Sequence, residues 1–266
     1  MKLSLRIALM LSVLVFFTSF SPTTRKSSWQ LVWSDEFNYS GLPDSTKWNY
    51  EVGGNGWGNN ELEYYTSRRK ENARVEGGNL VIELRKEKWE NKEYTSARLV
   101  TKGREDWKFG KIEVRAKLPK GLGTWPAIWM LGSTTPLKWP DDGEIDIMEH
   151  VGFDPGVIHA SAHCKKYNHI IHTQKTAVTT VSDCMENFHV YGLEWDSTSM
   201  AISVDGREYF RFTNEHSGYA GWPFSQPMYL LLNSAFGGNW GGAKGIDDSC
   251  LPQKMLVDYV RYYRRK

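Results

Sequence analysis

Short alternations of apolar and polar residues, each closed by a Gly, Pro, Asn or Asp cluster, run through this chain from residue 29 onward, and no long segment keeps a helical period. Strands are expected over 30–34, 79–86, 95–101, 110–118, 125–131, 144–151, 157–163, 189–195, 201–204, 208–213, 228–234 and 256–263. Gly77-Gly78, Lys120-Gly121, Pro140-Asp141-Asp142-Gly143 and Asp205-Gly206 supply the turns between them. About a dozen strands in one domain have to bury their apolar faces against each other, which points to two packed antiparallel sheets, a β-sandwich or jelly roll. At 266 residues the chain is long enough for one large core, and no internal repeat or composition shift marks a second domain.

One of these strands is unusual. Glu144-Ile145-Asp146-Ile147-Met148-Glu149 puts three carboxylates into an apolar, β-branched run. Side chains alternate along a strand, so Glu144 and Asp146 share a face and Glu149 points to the other. A β-bulge near Ile147 and Met148 brings Glu149 back, giving three acids along one surface. Like charges so placed raise one another's pKa and favour a protonated acid beside an ionised one. Glycosidic bond cleavage needs that pairing: one carboxylate attacks the anomeric carbon and a protonated partner serves the leaving oxygen. A solvated acidic strand is the competing reading, as is a calcium site, although the run lacks the alternating oxygen ligands and Gly of a calcium loop.

Twelve Trp exceed what a core of this size needs, and indoles stack on the flat C–H faces of sugars. Trp125 and Trp129 share a face with small Ala127 between them, which suits a sugar platform beside the acids or, on the other face, the core. Two Gly- and Asn-rich loops, 53–61 and 233–242, carry Asn60 and Trp240. Asn60 is read as a partner for sugar hydroxyls or as a turn residue in the left-handed region, and Trp240 as a cover over a sugar. Arg98 and Asn233 complete the substrate-binding set. His150, His159 and His163 lie close to the acids, but their spacing does not match a helix-borne zinc pair. His163 is therefore read as a hydrogen-bonding wall residue or a satisfied strand histidine.

Residues 1–21 have the pattern of a secretory signal peptide, with Lys2 and Arg6 ahead of an apolar run; an uncleaved anchor is the alternative, since no clean small-residue cleavage site is present. A linker over 22–28 and one catalytic domain over 29–266 follow. The expected location is secreted or periplasmic, with no membrane contact after signal cleavage. A net charge of +2 argues against a nucleic-acid partner. Of Cys164, Cys184 and Cys250, the first two form the shorter closure for a disulfide in an oxidising compartment, against three free thiols.

The motifs Trp33-Ser34-Asp35-Glu36-Phe37, Glu63-Tyr64-Tyr65-Thr66, 125–130, Glu144–Glu149 and Val257-Asp258-Tyr259-Val260 together resemble the family 16 glycoside hydrolases, in particular bacterial laminarinases, over roughly 29–264. The resemblance implies a concanavalin A-like jelly roll with a substrate cleft on its concave face. It also implies a chain that hydrolyses β-1,3-glucan internally with retention, and a monomer is expected. By it Glu144 is the nucleophile, Glu149 the acid/base and Asp146 the assisting carboxylate, with no cofactor in catalysis. A structural calcium at Glu36, the carbonyl of Gly78 and Asp258 belongs to the same pattern. The extra Met148 favours laminarinase over lichenase. Mixed-linkage β-1,3-1,4-glucanase and a non-catalytic β-glucan-binding protein are the rival readings.

Overall fold

Along Gly110–Lys117, burial follows the sequence alternation residue by residue: Ile112, Val114 and Ala116 are fully buried, while Lys111, Glu113, Arg115 and Lys117 face outward. The computed structural model describes residues 29–266. The expected leader and linker, 1–28, lie outside the described residues. The strands in chain order are β1 (Trp29–Asp35), β2 (Asn49–Tyr50), β3 (Glu63–Tyr65), β4 (Ala73–Glu76), β5 (Asn79–Trp89), β6 (Lys92–Ser96), β7 (Arg98–Val100), β8 (Gly110–Lys117), β9 (Thr124–Gly132), β10 (Glu144–Glu149), β11 (Val157–His163), β12 (Lys175–Thr180), β13 (His189–Trp195), β14 (Ser199–Val204), β15 (Arg207–Thr213), β16 (Met228–Phe236) and β17 (Gln253–Arg265).

They form two sheets, a jelly-roll-like β-sandwich. One runs β15-β14-β13-β8-β17-β5-β6-β3, with β1 beside β17 and β4 beside β5; the other runs β12-β11-β10-β9-β16-β7-β2. Pairing is antiparallel except between β3 and β6. The strand expected over 95–101 is divided at the buried Ala97, because β6 pairs with β5 in the first sheet and β7 with β16 in the second. Sequence reading missed β2, β3, β4 and β12: the first three are two to four residues long, and β12 has no large apolar side chain facing inward. Two hairpins follow the expected turn chemistry. Gly77-Gly78 and Asp205-Gly206 all have positive φ, as a two-residue turn between right-twisted strands requires.

The core lies between the sheets and includes Ile112, Val114, Ile128, Met130, Ile145, Ile147, Met148, Ile158, Leu230 and Leu232. Each such side chain contributes about 1.5–3 kcal/mol by leaving water. β16 is buried along its whole length because both faces are covered. Met228, Leu230 and Leu232 enter the main core, whereas Tyr229 and Leu231 join Val100 and Leu131 in a smaller cluster on the outer face of the seven-stranded sheet. Trp129, Leu137 and Trp139 pack on that cluster. It lies beside the carboxylates of β10, on the same face of the sheet.

One expectation is corrected. Cys164 and Cys184 are free thiols, each fully buried in the core, and Cys164 directs its Sγ to the carbonyl of Gly221. The carboxylates expected to hold calcium make ion pairs of their own. Asp35 opposes Val260 and Leu80 opposes Val257, so Glu36, Gly78 and Asp258 do lie on neighbouring strands or their ends. Both oxygens of Glu36, however, accept from Arg261, at 2.9 and 2.8 Å, and Asp258 is paired with Arg115 at 2.5 Å. Guanidinium groups thus neutralise both carboxylates here.

Candidate active site

The β10 strand gains a third acid on the face of Glu144 and Asp146 through a bulge. Against β9, Asp146 opposes Trp129 and Met148 opposes Ile128; against β11, Asp146 opposes Ser161 and Glu149 opposes His159. Three steps along β10 are thus matched by two on its neighbours. Ile147 and Met148 both enter the core, and Glu149 returns to the face of Glu144 and Asp146. The expected bulge is present where the parity mismatch required it.

Each outer acid is held by an indole. Trp139 Nε1 donates to Glu144 Oε2 at 3.0 Å, and Trp125 Nε1 donates to Glu149 Oε1 at 3.0 Å. Asp146, 3% exposed, sits between them. His163, opposite Glu144 on β11, brings Nε2 to 3.2 Å from Asp146 Oδ2 and 3.7 Å from Glu144 Oε1.

Burial is the main electrostatic influence here. It pushes Glu144 up to about 8, helped by the charge of Asp146 and opposed by His163 and the Trp139 hydrogen bond. Burial alone lifts Asp146 to about 8. Glu149 is raised to about 8 by burial and then by Asp146, with the Trp125 hydrogen bond acting the other way. Three acids so placed cannot all ionise together near neutral pH, so the cluster retains protons there. A site that holds an ionised carboxylate beside a protonated one can run nucleophilic and acid chemistry at once.

Around the acids, the side chains expected to bind sugar are distributed unevenly. Trp125 and Trp129 lie on the face of the acids, not in the main core. Trp240 packs edge-on against Trp125, with ring centroids 5.5 Å apart, and against His159 at 4.9 Å, so it stands beside Glu149. Arg98 is nearly buried: its guanidinium lies 4.6 Å from the rings of both Trp57 and Trp129, and its Nε pairs with Glu51 at 2.7 Å. Asn233 accepts from Trp129 Nε1 at 2.7 Å and donates to the Tyr65 hydroxyl at 3.0 Å. Arg98 and Asn233 therefore hold the Trp129 indole in place. Asn60 has φ of 56° and donates to Asn239 Oδ1 at 2.8 Å, so it is a left-handed turn residue that ties the two Gly-rich loops together.

Trp139 escaped the sequence reading, and His159 was weighed there only among possible metal ligands. The first sits five residues before Glu144 in a Pro-rich turn, where an indole has no strand parity to report its direction. His159 could have been found once the bulge was accepted, because the shifted register makes it the partner of Glu149. Trp139 also packs against His169 at 5.0 Å, extending the aromatic wall beyond Glu144.

Comparison with known proteins agrees with this arrangement. Residues 60–261 match the model of "Glycosyl hydrolases family 16". A β-glucanase of Rhodothermus marinus is 50% identical over 99% of this chain and 96% of its own length. The X-ray structure of the laminarinase from Rhodothermus marinus superposes with a TM-score of 0.89 at 52% identity, covering 91% of this chain and all of that one. A glucan endo-1,3-beta-glucosidase of Cryptopygus antarcticus is 38% identical over 88% of this chain and 92% of its own. With a bulged, indole-clamped row of acids on one face of its sandwich, the chain belongs to the family 16 glycosyl hydrolases.

Proposed function

We propose that this chain is a secreted endo-β-1,3-glucanase that cleaves laminarin-like glucan with retention of configuration. The observation that carries this reading is the pair of outer acids, Glu144 and Glu149, each held by an indole N–H on either side of buried Asp146. Glu144 attacks the anomeric carbon while Glu149 gives its proton to the leaving oxygen; the glycosyl–enzyme ester is then opened by water that Glu149 deprotonates. The indole N–H on Glu144 favours its ionised form, as a nucleophile needs. Asp146 is the assisting carboxylate: its charge raises Glu149, which keeps the acid loaded. The neighbouring sugars rest on Trp125, Trp129 and Trp240, and His163 lines the wall by Glu144.

The names carried by the relatives above support β-1,3-glucan over other substrates. We read 29–266 as one catalytic domain acting as a monomer, exported by the leader 1–21 and joined to it by the linker 22–28. No helix among the described residues is long and apolar enough to cross a membrane.

Reducing-end release from laminarin, with the anomer of the first product followed by proton NMR, tests the reading. The β-anomer is expected first. An α-anomer would replace retention by inversion. Binding of glucan without release, by folded protein, would make the chain a glucan-binding protein. A higher kcat/KM on barley glucan than on laminarin would make it a mixed-linkage enzyme.

A further inference from the structure

We propose that Glu144, Asp146 and His163 also form a site for a divalent transition ion of the zinc class, and that an ion bound there blocks the cleft. Glu144 Oε1, Asp146 Oδ2 and His163 Nε2 offer one ligand atom each, and all three lie within 4.8 Å of one another. The two contacts of the histidine nitrogen, 3.2 Å to Asp146 and 3.7 Å to Glu144, are close to a tetrahedral edge. Ligands at about 2.1 Å from zinc are separated by roughly 3.4 Å across that angle.

A second observation concerns Asp146. Its side chain is almost wholly buried, yet among the described residues its Oδ2 accepts no hydrogen bond, although His163 Nε2 is only 3.2 Å away. A buried acceptor in that condition is costly. An ion between the oxygen and the nitrogen would satisfy both lone pairs and balance two carboxylates that otherwise repel. One imidazole and two carboxylates make a borderline donor set that suits Zn2+ or Co2+ better than a hard ion. The fourth position faces the cleft through Glu144, whose side chain is 14% exposed, and is left for water.

His189 is a weaker competitor. It approaches Asp183 through Nε2 at 3.2 Å and Asp205 through Nδ1 at 2.7 Å, on opposite edges of its ring, so the three cannot close on one ion.

Only the inhibition rests on the proposed glucanase activity: the ion takes the Glu144 lone pair that would attack the anomeric carbon. Binding itself is read without substrate. Titration of the whole chain with Co2+ is expected to give one equivalent with the intense visible absorption of a tetrahedral site, displaced by Zn2+. His163→Gln and Glu144→Gln should each lose that absorption, or weaken Co2+ binding by at least about tenfold, with unchanged circular dichroism. Zn2+ should then inhibit laminarin cleavage competitively. No tetrahedral band, or one that survives both substitutions, overturns the site. A band lost in both variants, in a protein that does not cleave laminarin, keeps the site and removes the glucanase reading.

Discussion

Trp139 donates its indole N–H to Glu144 across 3.0 Å from a loop, and Trp125 makes the matching contact to Glu149 from β9. The two ends of the acid row are thus held by different parts of the fold. A loop-borne donor is the easier of the two to remove without disturbing a ladder.

Trp139→Phe keeps much of the ring contact with His169 but deletes the donor. A hydrogen bond to a charged group is worth about 1.5–3 kcal/mol, or roughly one to two pH units. The carboxyl of Glu144 should rise further, and the acidic limb of the kcat/KM profile for laminarin should move up by about one unit. An unmoved limb would separate Glu144 from the ionisation that limits attack.

Glu149→Ala removes the proton donor but leaves the nucleophile. Cleavage of natural glucan should fall by about 100-fold or more, while an aryl glycoside whose leaving group needs no protonation retains turnover of the first step. Equal losses on the two substrates, measured side by side, would reassign the acid.

Deleting Met148 makes the run Glu-Ile-Asp-Ile-Glu, in which plain alternation keeps the last acid on the cleft face. Some activity should survive, at a cost of about 2–5 kcal/mol for the lost core side chain. Inserting one alanine after Ile147 instead displaces Glu149 from that register and should abolish cleavage. Chemical denaturation with assay of both variants distinguishes loss of fold from loss of geometry.

Raised carboxyl values in the folded state also set a pH dependence of stability. Burial holds Glu144 up at about 8, whereas an unfolded chain titrates it near 4.3. Between those values the native state binds the extra protons, so stability falls as pH rises through this window and the penalty is absent below it. Glu144→Gln lacks this proton uptake. Its melting temperature should exceed that of the wild type at pH 8, and the difference should shrink toward pH 4. A constant difference across that range would mean that burial does not raise this acid.

Much of this was legible because strand parity is a local property. Exact agreement over 157–163 and 189–195, and the turns at Gly77-Gly78 and Asp205-Gly206, came from alternation and backbone sterics alone. The same parity rule, broken at Glu149, exposed the bulge. The disulfide between Cys164 and Cys184 was not decidable that way, since spacing says nothing about how two thiols point within a core.

The sequence by itself determined the β-sandwich, the row of three acids and the bulge that aligns them, because each depends on neighbours a few positions apart. Only the tertiary structure decided what surrounds that row. Trp139 reaches Glu144 from a loop, Arg98 lies between Trp57 and Trp129, and Arg261 pairs with the Glu36 carboxylate. Those contacts join residues that are distant along the chain or project from irregular backbone. Their partners are chosen by how the loops and sheets pack, which no periodicity encodes.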